Sequence, residues 1–157
     1  MRKFAAITAG ALGASAVLVG AVAAAPQPAG KPDSGTIHAA TTYNSGGSQY
    51  AAGNVSDKMF GSGAVTYALK VSAVPNKAGT FNLTSKPVTQ WFAGGSLSGT
   101  VKATLVVDAN ANATATGTVS LTKGTGTYKH HSFKGTFSGT GKVGTGVYTF
   151  HYTGTYR

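Results

Sequence analysis

The chain reads as an all-β protein, an antiparallel β-barrel of about eight strands, with a β-sandwich as the alternative architecture. Three observations carry that reading. From Ala113 to Thr122 every second residue is Thr or Ser, and Ala113, Ala115, Gly117, Val119 and Leu121 stand between them. A strand sends successive side chains to opposite faces, so this period of two sorts hydroxyls from carbon. The same rhythm returns through most of the C-terminal half, with turn residues between runs of about ten to twelve, a length that suits tilted barrel strands. No segment with the helical period of 3.6 occurs outside the N-terminal stretch.

That stretch has the features of an export signal. Arg2 and Lys3 begin it, Phe4 to Val22 is uncharged and rich in Ala, Val, Leu and Ile, and Ala21-Val22-Ala23 is a small-residue cleavage site. Residues 1–25 are therefore expected to be a signal peptide and the mature protein to be secreted, a retained membrane anchor being the alternative. Residues 26–35, with Pro26, Pro28, Pro32 and two glycines, are expected to be a flexible tether. Residues 36–157 are expected to form the β-domain, one core in a mature chain of roughly 130 residues.

The elements follow in order. Thr36 to Tyr43 is a first strand. Asn44 to Gly63, rich in Gly, Ser and Asn, reads mostly as loop, with Met59 and Phe60 tucked into the core. Ala64 to Ala73 alternates cleanly, with Val65, Tyr67, Leu69, Val71 and Ala73 on one face. Pro75 to Gly79 is a turn. Thr80 to Ser85 and Pro87 to Phe92 are two short strands, the second carrying Trp91 with Pro87 at its entry. Ser96 to Val107, Ala113 to Thr122, His131 to Thr140 and Val147 to Tyr156 complete the set. The turns between them are Asp108 to Asn112, Lys123 to Thr127 and Gly141 to Gly146. Glycines alternate with Phe133 and Phe137, as where a sheet bends or rings need space.

Composition removes several kinds of chemistry. The chain has no Cys, hence no disulfide, thiolate metal site or thiol nucleophile. It has 13 Lys plus Arg against 3 acids, a net charge of +10; without Arg2 and Lys3 this becomes 11 against 3, or +8. Such a field favours anionic partners, namely cell-wall polymers, acidic polysaccharide, phospholipid headgroups or nucleic acid, and solubility explains it as well. The lysines are spread singly, unlike the dense block of a nucleic-acid tail, and Lys on strand surfaces also prevents edge-to-edge aggregation.

Leu121-Thr122-Lys123-Gly124-Thr125-Gly126-Thr127-Tyr128, followed by Phe133-Lys134-Gly135-Thr136-Phe137-Ser138-Gly139-Thr140, resembles a hairpin of the allene oxide cyclase and dirigent-like barrels. Gly95 to Thr100 and Tyr148 to Gly154 fit the same style, so the likeness covers about residues 94–157. The resemblance implies an eight-stranded barrel around an apolar cavity that takes hydrophobic small molecules. It does not carry the family's chemistry across. The chain has no Glu, and of its three aspartates Asp33 is placed in the tether, Asp57 in a loop and Asp108 at a turn. It also departs from the pattern at Lys123 and at His130-His131.

Each chemical motif has a plainer explanation. Asp108-Ala109-Asn110-Ala111-Asn112 has the oxygen spacing of a calcium loop, but Ala113 stands where Gly is needed and Val119 where a bidentate Glu is needed. A hairpin tip fits better. Gly139 to Gly144 spells G-x-G-x-x-G, yet a strand follows it where a dinucleotide site needs a helix. His130 and His131 are adjacent and point to opposite faces, so they cannot chelate one metal; His131 shares phase with Phe133, and His151 faces water. No cofactor and no metal are implied. His131 and Asp108 are the best acid–base candidates, and neither forms part of a recognisable catalytic motif.

The leading expectation is a non-enzymatic barrel binding a small apolar or aromatic ligand, with Tyr67, Trp91, Phe133, Phe137, Tyr148, Phe150 and Tyr152 lining or filling the interior. Core packing explains the same aromatic stripe. An alternative is a cell-surface or matrix protein that uses its lysines against anionic polymer, and a third is a cyclase- or isomerase-like enzyme. An outer-membrane barrel would require a continuous apolar outer band, which the Thr114 to Thr122, Lys70 and Lys102 faces do not supply.

Overall fold

The computed structural model describes residues 30–157. The expected signal peptide, the alternative membrane anchor and the first residues of the expected tether lie outside the described residues. Eight strands form one closed antiparallel barrel in sequential order: β1 (Lys31–Ser45), β2 (Ser48–Asp57), β3 (Gly61–Ala73), β4 (Thr80–Phe92), β5 (Gly95–Val107), β6 (Asn112–Gly124), β7 (Phe133–Lys142) and β8 (Val147–Tyr156). β1 closes the cylinder against β8, from Lys31↔Tyr156 to Ala40↔Val147. Closure leaves no free sheet edge, which suits a chain without disulfides.

Alternation explains the wall. On β6, Ala113, Ala115, Val119 and Leu121 are buried, whereas Thr114, Thr116, Thr118 and Thr122 are exposed. Their outward neighbours are also polar: Thr118 pairs with Lys102 and Thr136, and Thr136 pairs with Thr153. Leu97, Leu121, Val55 and Val65 are fully buried, and each contributes about 1.5–3 kcal/mol of transfer free energy as an upper bound.

Three boundaries depart from the sequence reading. The expected tether is strand from Lys31 onward. Pro32 lies at the start of β1, where a missing N–H is tolerated, and Asp33, Gly35, Ile37 and Ala39 point inward in step. The expected loop 44–63 holds a full strand, β2, whose Ala51, Val55 and Asp57 are buried. Its Gly-, Ser- and Asn-rich composition is overridden because β1 and β3 pair with it on both sides. The β1–β2 turn is Gly46-Gly47, with φ of 56° and 75°, values that glycine adopts without strain and a two-residue hairpin requires. Finally, Thr80–Phe92 is one strand, with a register irregularity between Ser85 and Val88 around Pro87.

The two ends of the cylinder differ. The β2–β3, β4–β5 and β6–β7 connections share one end with the start of β1 and the end of β8. There Phe60 sits among Phe92, Tyr128 and Tyr156, with ring centroids at 5.3, 5.0 and 4.8 Å, and these rings plug the barrel. Met59, expected in the core beside Phe60, is instead 38% exposed, because only one of two adjacent turn residues can point inward. At the opposite end the inward-facing Val71, Phe81 and Leu105 are only half-buried, so we take that end as the mouth.

Candidate functional site

The barrel interior holds a cavity of about 60 Å³ whose open surface is carbon, with Ser85 and Gln90 of β4 the two polar side chains besides the tyrosines in its lining. β3 contributes Tyr67 and Leu69, β4 Leu83 and Val88, β7 Phe133 and Phe137, and β8 Phe150 and Tyr152. Glycines on the inner face make room for these rings. A Cβ at Gly139 would collide with the Phe150 ring on the adjoining strand, and one at Gly35 with the Tyr152 ring. Phe133 packs edge-on against Tyr152 at 5.5 Å, and Phe137 against Phe150 at 5.7 Å.

Of the seven expected lining residues, Tyr67, Phe133, Phe137, Phe150 and Tyr152 meet at the cavity. Tyr148 is buried beside it, stacked on Phe150 at 6.0 Å, and does not form the wall. Trp91 is misplaced by the sequence reading. It is 43% exposed, because its neighbours Gln90 and Phe92 take the inward positions of β4. Burial holds the Tyr67 and Tyr152 hydroxyls well above the ordinary tyrosine pKa, Asp57 adding to the effect at Tyr152, so both are neutral O–H groups.

The two acid–base candidates are not brought together. Asp108 lies in the β5–β6 turn at the mouth end. Its Oδ1 accepts from the Asn110 and Asn112 N–H groups at 2.8 Å each, and its Oδ2 accepts from Asn112 Nδ2 at 2.9 Å. These bonds, the Asn112 side chain foremost, lower its pKa, and they leave the carboxylate engaged in its own turn. His131 sits at the plugged end, stacked on Tyr156 at 4.8 Å. Gly139 to Gly144 runs from β7 into a tight turn before β8, so the G-x-G-x-x-G letters fall in a hairpin. Among the described residues no three His, Asp or Glu side chains gather as a metal site.

The structure reveals a cluster that the sequence reading missed. Asp33 and Asp57, assigned there to tether and loop, are both inside the barrel, 5% and 6% exposed. Asp57 Oδ1 accepts from the Met59 and Phe60 N–H groups at 2.8 Å, closing the β2–β3 turn, and Oδ2 accepts from the Tyr152 hydroxyl. Asp33 Oδ1 accepts from the Ser34 N–H at 2.8 Å, and Oδ2 is buried with no hydrogen-bond partner. Burial first, and the adjacent Asp57 second, raise the Asp33 pKa. The signal was present in phase: Asp33 continues the inward series Gly35, Ile37, Ala39, and Asp57 ends the series Ala51, Gly53, Val55.

Comparison with protein-family models, with curated proteins and with solved structures finds no match for this chain.

Proposed function

We propose that this protein is an exported barrel, akin to the allene oxide cyclase and dirigent-like barrels, that holds a small apolar or aromatic molecule in its interior without transforming it. The observation that carries the reading is the carbon-walled cavity at the centre of the barrel, ringed by Tyr67, Phe133, Phe137, Phe150 and Tyr152. An apolar wall repels water and favours a ligand of its own kind. At about 60 Å³ the space is smaller than the ~150 Å³ engineered cavity that admits benzene. A ring-sized ligand therefore enters as the half-buried Phe137 or Phe150 swings towards the mouth. His131 and Asp108 stand apart at opposite ends, which favours a carrier over a catalyst.

Calorimetric titration with indole and benzene tests this. Saturable binding is expected to disappear in Ala103→Phe, because Ala103 of β5 lines the cavity and a ring there would fill it, and to persist in Trp91→Phe, which alters only the exterior. Absence of binding, or binding that survives Ala103→Phe, would overturn the reading.

A second reading, adhesion to anionic polymer, is favoured by one specific observation. Two of the three carboxylates are buried, so Asp108 is the only Asp or Glu exposed among the described residues, while Lys31, Lys58, Lys70, Lys77, Lys102, Lys123, Lys129, Lys134 and Lys142 are all exposed.

A further inference from the structure

The exposed cations are not evenly distributed. Lys31 begins β1, Lys58 lies in the β2–β3 turn, Lys123 is on the last turn-ward residues of β6, Lys129 is in the β6–β7 loop, Lys134 is near the start of β7, and Arg157 follows β8. These six of the ten Lys and Arg side chains exposed among the described residues stand at the plugged end, whereas Lys70, Lys77 and Lys142 stand towards the mouth and Lys102 near the middle of β5. The exposed carboxylate, Asp108, stands at the other end, where it offsets Lys142. Asp33 and Asp57 do lie beneath the basic end, but they are buried, and Asp57 is engaged by the Met59 and Phe60 N–H groups and the Tyr152 hydroxyl. The folded barrel is therefore electrically polar along its axis, a property absent from the evenly spaced lysines of the sequence.

A groove at this end is lined by His130, Ser132, Lys134, Thr155 and Arg157, so two cations, an imidazole and two hydroxyls share it. Its floor is tied down by paired Ser132 and Arg157 backbone bonds of 2.8 and 2.9 Å. Cations match carboxylates, and hydroxyls match sugar oxygens. Of the aromatic rings at this end, Phe60, Tyr128 and Tyr156 are turned into the plug and Trp91, near the end of β4, is exposed; a single exposed ring does not make the run of stacking platforms that successive nucleobases need. Among the described residues Met59 and Trp91 are the large hydrophobics exposed at this end, too few for insertion into a bilayer.

We propose that the plugged end of the barrel docks on an acidic polysaccharide through this groove, leaving the mouth of the cavity facing the medium. The proposal rests on the anionic-polymer reading and adds to it a site, a partner class and an orientation. Docking by one pole leaves the opposite end unobstructed, so polymer adhesion and ligand uptake do not compete.

The test uses the mature protein and a polyuronate as probe, with binding followed by co-sedimentation across a salt series. Wild type is expected to bind at low ionic strength and to be released as salt rises. Lys129→Glu with Lys134→Glu, at the basic end, should weaken binding about tenfold or more, whereas Lys77→Glu with Lys142→Glu, at the mouth end, should weaken it less than about threefold for the same change in net charge. Circular dichroism of both double variants confirms that the exposed substitutions leave the fold intact. If wild type fails to bind at low salt, the anionic-polymer reading falls, and this proposal with it. If both double variants lose affinity equally, polymer binding stands but the polar docking site is overturned. Tighter association with phosphatidylglycerol vesicles or duplex DNA than with polyuronate overturns the choice of partner.

Discussion

Asp33 illustrates how one residue changes meaning when the fold closes. In a flexible tether its carboxylate would be solvated and ionised. Inside the barrel it lies beside Asp57 with one oxygen unpartnered, and burial raises its pKa above the ordinary 3.8. The consequence for stability has a definite sign. A group whose folded pKa exceeds its unfolded value stabilises the fold fully below the unfolded pKa, and this contribution is lost as pH rises through the folded pKa. The Asp33 contribution therefore declines from acidic towards neutral conditions. Asp33→Asn keeps a donor facing Asp57 and removes the ionisation. It should stabilise the protein by about 1 kcal/mol at pH 7 to 8 and flatten the pH dependence, as read from urea unfolding at several pH values. An unchanged pH profile in the variant would show that Asp33 is ionised and satisfied. Trp91 carries the opposite lesson: its bulk suggested an interior position, yet strand phase places it outside.

At the scale of the elements, the strands are specified by alternation and the turns by backbone demands. Ala113 to Thr122 was legible because hydroxyl and carbon separate without exception, and its faces fall as expected. The β2 strand was not legible, because its inward positions Ala51 and Gly53 are small and its outward ones resemble loop residues. Such a strand forms because its neighbours leave two ladders open and burial of Val55 and Asp57 rewards filling them. Glycines within β7 act through shape. Gly139 lies beneath the Phe150 ring, so Gly139→Ala forces that ring into the cavity. The variant should lose about 1–3 kcal/mol in thermal or chemical unfolding and lose indole binding as well. Retention of full stability would mean that the ring can relax elsewhere.

At the scale of the whole molecule, closure between the first strand and the last decides both stability and function. β1 and β8 are separated by the entire domain, yet they pair from Lys31↔Tyr156 to Ala40↔Val147. This contact brings Tyr152 to Asp57 and sets Tyr156 against Phe60, building the plug and the polar cluster together. Removal of residues 31–35, the segment that composition marks as a tether, takes away Asp33 and half of these pairs. A chain beginning at Thr36 should melt at least about 10 °C lower than one beginning at Gly30. Equal melting temperatures would show that the segment is dispensable to closure.

The class of architecture and the facing of the long C-terminal strands were legible in the two-residue repeat, a local property of the backbone, and five of the seven residues expected at the interior do line the cavity. The sequence also determined the basic character of the surface and the absence of covalent cross-links. Only tertiary structure decided that Asp33 and Asp57 meet beside Tyr152, that Trp91 lies outside, and that six of the ten exposed cations share the plugged end. Those facts depend on which residues of distant strands share a register, and register between β1 and β8 is set by closure of the cylinder, which no local pattern contains.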